Sequence, residues 1–95
     1  MYTSFEWDQN KNSENQHKHG VGFEEAQEAF FDPDRLILVD TGHGTPEEER
    51  YFCVGRVEGG ILTVRFTYRV GAIRVFGAGF WRKYRKVYLE RSKEE

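Results

Sequence analysis

Disulfides, a membrane span and a metal-binding pattern are all missing from this sequence. A single cysteine, Cys53, leaves no intramolecular disulfide to form. Its setting, RYFCVG, reads as strand, so a buried reduced thiol in a cytoplasmic protein is expected. No stretch approaches the roughly 20 apolar residues that cross a bilayer. The opening MYTSFEWDQNKNS has no apolar run of signal-peptide length. His17, His19, His43 and Cys53 fit no standard zinc spacing. No glycine-rich phosphate loop and no Ser/His/Asp or Cys/His constellation is recognisable. No metal, cofactor or membrane partner is therefore expected.

Aromatic mass and an uneven charge are what the chain does have. Its 95 residues suit one domain, 1–95, and eight Phe, five Tyr and two Trp supply core area. The net charge of −2 hides a split. Residues 1–49 carry three Lys/Arg against twelve Asp/Glu, a balance of −9. Residues 50–95 carry eleven against four, a balance of +7. Either the second half faces something anionic or the two halves attract each other.

Residues 2–7 (YTSFEW) alternate loosely as a short strand. Asp8 suits the N-cap of a helix over 9–19 that is polar nearly all round, with Gly20 as its left-handed C-cap. Gly22 opens a second helix that aligns Phe23, Ala26 and Phe30 and stops at Pro33. Residues 35–40 (RLILVD) read as strand and 41–49 (TGHGTPEEE) as loop. Then follow RYFCVGRV, ILTVRFTYR and AIRVFGAG, the first two joined by the hairpin signal EGG. Alternation sends Leu62, Val64, Phe66 and Tyr68 one way and Thr63, Arg65, Thr67 and Arg69 the other. A basic amphipathic helix closes the chain, with residues 91–95 expected to fray. The order β-α-α-β-β-β-β-α predicts an α+β fold, an antiparallel sheet with its helices on one face.

Phe5-Glu6-Trp7-Asp8, Lys11, Asn15, Lys18-His19-Gly20-Val21 and Phe23-Glu24-Glu25-Ala26 resemble the opening signature of the BrnT family. The stretch from Glu48-Glu49-Arg50 through the glycine-bearing hairpin to Ile73-Arg74 resembles that family's second block. The resemblance covers about residues 5–90. It implies a RelE-like fold and a metal-independent endoribonuclease toxin of a type II toxin–antitoxin pair. It also implies a BrnA-like, DNA-binding antitoxin in a 2:2 complex. Two departures stand out. Many members end the last strand in Ser-Ala-Arg, where this chain has Gly77-Ala78-Gly79. Tyr68 stands where many have Glu.

Metal-free RNA cleavage needs one group to take the 2′-hydroxyl proton, one to protonate the leaving oxygen, and cations on the phosphate. Imidazole suits either proton role and guanidinium suits the phosphate. On the family motif, His19 and Lys18 are the catalytic candidates, with Arg69 and Arg74 beside them. Arg65, Arg82, Lys83, Arg85 and Lys86 are candidates for RNA backbone contact. Guanidinium groups from neighbouring strands are expected to converge beside the imidazole. His17 and His43 read as solvated, and Tyr68 reads as core by parity. The alternative is a member without catalysis, lacking an arginine at Gly79, that only binds RNA or a partner protein.

Overall fold

Pairing of the three long strands organises the molecule. In a computed structural model, which describes residues 4–93, β1 (Ser4–Glu6) leads into α1 (Gln9–His19) and α2 (Phe23–Ala26). A 3-10 turn (Gln27–Phe31) continues α2. Then come β2 (Leu36–Asp40), β3 (Arg50–Val57), β4 (Gly60–Arg69), β5 (Ala72–Gly79) and α3 (Arg82–Lys93). Tyr2 and Thr3 of the expected first strand, and residues 94 and 95 of the expected fraying tail, lie outside the described residues.

The sheet order is β1-β5-β4-β3-β2. β2 to β5 pair antiparallel, β3 with β4 across the hairpin that EGG signals, whereas β1 pairs parallel with β5 through Ser4↔Ala72 to Glu6↔Arg74. The α+β class is as read from the sequence, with a mixed sheet in place of a purely antiparallel one.

Alternation along β3 and β4 decides what each face buries. Cys53, Leu62, Val64, Phe66 and Val75 pack against Val21, Phe23, Ala26 and Ala29, all but Val75 with no exposure and Val75 at 1%. Each fully buried side chain of this size contributes about 1.5–3 kcal/mol. The Cys53 thiol points at the Ala29 carbonyl (3.7 Å), and burial pushes its pKa up to about 12.

The second face corrects the expectation that all helices share one side. Val54 and Ile61 pack there against Tyr88, with Tyr84 and Leu89 beside them. These α3 residues recur at helical spacing and need an apolar landing, which Val54 of β3 and Ile61 at the start of β4 offer on that side. The Tyr88 hydroxyl donates to Asp32 Oδ2 (2.6 Å), and the Arg56 amide donates to the same oxygen (2.6 Å). Burial alone would raise the Asp32 pKa. The hydrogen bonds from Tyr88, Arg56 and Asp34 outweigh it and hold the carboxyl below its usual range. Burial, and then the bond to Asp32, push the Tyr88 phenol up.

Candidate functional site

A helix as polar as α1 needs something other than apolar burial to fix it. The Asp8 carboxylate caps its start, accepting from the Asn10 amide (2.8 Å), and Gly20 ends it at φ 70°. Two asparagines, Asn12 and Asn15, are its only buried residues. Asn12 Oδ1 accepts from the Phe23 amide (2.8 Å), tying α1 to α2. Asn15 Nδ2 donates to the carbonyls of Val21 (2.9 Å) and Ala78 (2.8 Å), and its Oδ1 accepts from the Ala78 amide (3.1 Å). β1 covers the edge of β5 only from Ala72 to Arg74. Further along, the Asn15 amide stands in for the missing strand and satisfies both backbone groups of Ala78.

This joint builds a cleft. Lys11, Glu14 and Lys18, spaced i, i+3 and i+7 along one helix face, line one wall with Asn15 and His19. Arg65, Phe76, Gly77 and Trp81 line the other. Phe76 sits where the β4–β5 register slips, since Arg65 pairs with Gly77 but Phe66 pairs with Val75. The bulge leaves Phe76 unpaired beside Arg65. The Arg50 guanidinium lies 3.8 Å over the Phe76 ring and meets Glu48 at 3.4 Å. The Trp81 and His19 rings meet edge to face, 5.6 Å apart at 80°.

The structure therefore joins Lys18, His19 and Arg65, but not all the residues expected beside them. Arg69 pairs with Glu48 (3.1 Å) and lies four residues beyond Arg65, about 13 Å along the strand. The hydrogen bond from Arg69 is the largest influence on the Glu48 carboxyl; burial opposes it, and the charges of Arg69 and Arg50 help it hold the carboxyl below its usual range. Arg74 pairs with Glu6 (3.4 Å). Neither lines the cleft, so the expected convergence of guanidinium groups reduces to Arg65. Arg82, Lys83, Arg85 and Lys86 are exposed on α3 and do not line it either. His17 is exposed, and His43 meets Asp40 (2.9 Å). Tyr68 contacts the rings of Tyr51 and Phe66 on the side its parity predicts, but it is 37% exposed at the end of β4 and lies outside the core that parity alone suggested.

Sequence reasoning missed Lys11 and Glu14 as cleft residues, although their spacing from Lys18 carries the signal. It had no signal for Arg50 and Phe76, which the bulge brings together, or for Trp81, which reads as part of the α3 stripe. Among the described residues, no group of three His, Cys, Asp or Glu side chains could hold a metal ion.

The lining residues comprise three fixed cations (Lys11, Lys18, Arg65), one imidazole and one carboxylate. Such a set can neutralise a phosphodiester and offer it a proton donor and a proton acceptor. The family described as "Ribonuclease toxin, BrnT, of type II toxin-antitoxin system" matches residues 7–84. No curated protein matches the chain.

Proposed function

The chain belongs to the BrnT family of type II toxin–antitoxin ribonuclease toxins, and on that footing we propose that the cleft between α1 and β4–β5 is where it cuts RNA. The carrying observation is that Lys18, His19 and Arg65, from two distant parts of the sequence, line one cavity. In this reading Arg65, Lys11 and Lys18 hold the scissile phosphate and neutralise the charge that builds on it. His19 and Glu14 provide the proton-transferring pair, one accepting from the 2′-hydroxyl and the other donating to the leaving 5′-oxygen. Nothing in this scheme requires a metal. A BrnA-like, DNA-binding antitoxin that dimerises, giving a 2:2 complex in the cytoplasm, is the partner this function calls for.

The second reading, binding without cleavage, draws on one observation: the engagement of Arg69 and Arg74 by Glu48 and Glu6 leaves a single guanidinium at the cleft. One assay separates the two. Purified protein is incubated with RNA in the presence of EDTA. Cleavage that His19→Ala and Arg65→Ala each abolish supports the ribonuclease. RNA that is retained but left intact by the wild type supports the binding module.

A further inference from the structure

We propose that Trp81 is a nucleobase platform, on whose indole the base of a nucleotide flanking the bound phosphodiester packs. This rests on the ribonuclease reading of the cleft and adds a subsite to it.

Trp81 lines the same cleft as Lys18, His19 and Arg65, so a phosphodiester gripped by those cations brings its neighbouring base within reach of the indole. The ring is half-buried, and the apolar seat of α3 is supplied by Tyr84, Tyr88 and Leu89 instead. Core packing therefore does not account for its position. That position is fixed from behind. A Cβ on Gly79 would lie 2.7 Å from Trp81 Cε2 and 2.8 Å from Cζ2, so only glycine lets the indole rest on the strand backbone. The ring also meets His19 in an edge-to-face pair at 5.6 Å. The Trp81 carbonyl also accepts from the Arg85 amide (3.1 Å), which anchors its backbone to the first turn of α3. A ring backed by strand, held by a helix start and turned to a basic cleft loses little freedom on binding. Stacking on it suits any base, because every base has a π-face. The Gly79–Trp81 pair thus gives this cleft a surface for bases next to its surface for phosphate.

The test uses two probes on the intact chain: a 2′-O-methyl hexanucleotide, which lacks the attacking hydroxyl, and inorganic polyphosphate, which has charge but no bases. Trp81→Ala is expected to weaken hexanucleotide binding about tenfold, within the range for loss of one base–aromatic stack, and to leave polyphosphate binding unchanged. Trp81→Phe recovers most of that loss. In a Trp7→Phe background, emission from Trp81 is quenched by the hexanucleotide and not by polyphosphate. Hexanucleotide binding by Trp81→Ala that equals the wild type overturns the proposal, as does equal loss of both probes, which marks a merely structural ring. If Trp81→Ala does not fold by circular dichroism, Trp81→Phe and the quenching decide the matter. Quenching without RNA cleavage by the wild type sinks catalysis and leaves this subsite standing. Cleavage with unaltered hexanucleotide binding by Trp81→Ala does the reverse.

Discussion

On one face of the sheet Leu62, Val64 and Phe66 are sealed under α2 and the 3-10 turn. On the other, Ile61 and Thr63 are buried at the α3 end, but Arg65, the next residue on that side, stands in an open cleft. One strand thus serves two purposes by alternation alone. Its even positions hold the fold together, and its odd positions divide between a helix seat and the candidate site. The lesson is that an arginine's parity places it on the right face without placing it in the site. Arg65, Thr67 and Arg69 share a side, yet only Arg65 lies where α1 overhangs the strands.

Changes on the two faces should therefore separate activity from stability. The largest expected effect is on the open side. His19→Ala should reduce RNA cleavage by roughly 100- to 10,000-fold while leaving thermal stability within about 0.5 kcal/mol, because His19 is exposed. Cleavage assays beside melting curves check both halves. On the sealed side, Phe66→Ala should cost about 3–5 kcal/mol in urea unfolding, since Phe66 has no exposure and packs edge to face on Phe30 at 5.0 Å. A folded Phe66→Ala protein should still cut RNA at low temperature.

Asn15→Ala tests the seam between the faces. It removes three hydrogen bonds and should cost about 3 kcal/mol, taking cleavage with it as α1 loosens. Loss of stability with full activity would mean that α1 does not build the site.

Tyr88→Phe is a smaller change, about 1 kcal/mol, because water can reach the half-buried Asp32 that it leaves. It should also alter the acid limb. Asp32 and Glu48 have folded pKa values below those of the unfolded chain, so the unfolded state binds more protons in mild acid. Their contribution is present above the ordinary values of 3.8 and 4.5 and is lost as pH falls through the lowered ones. Urea midpoints measured down through that range should fall less steeply in Tyr88→Phe than in the wild type. Smallest of all, Arg69→Ala should change stability by no more than about 0.5 kcal/mol, since its pair with Glu48 is partly exposed, and should leave most cleavage intact.

Much of this architecture was legible because it follows from local rules. Asp8 and Gly20 bracket α1, Gly22 starts α2, and the Gly59-Gly60 pair marks the hairpin, each by backbone chemistry that one residue decides. The helix side chosen by α3 was not legible, because Tyr84 and Tyr88 reveal an apolar stripe without saying which apolar face it meets. The site was half legible. Lys18, His19 and Arg65 were named, but Arg69 and Arg74 were set ahead of Arg65, because acids as remote in sequence as Glu48 and Glu6 decide their fate. The slip at Phe76 breaks the period-two pattern at one residue, and no turn residue announces it. The anchoring by Asn12 and Asn15 was not legible in a helix polar nearly all round, since a polar side chain gives no sign in sequence that it is hydrogen-bonded inside.

The two asparagine bolts also restrict how the first helix can move. Sliding it by one turn, about 5.4 Å, would carry Lys11 or His19 toward the place where an amide now meets Ala78. Neither lysine nor imidazole can both donate twice and accept once in that geometry, so a charge or an unmet backbone group would be sealed in. A one-turn slip of α1 is therefore disfavoured, and the wall that this helix lends the cavity is tied to a single register.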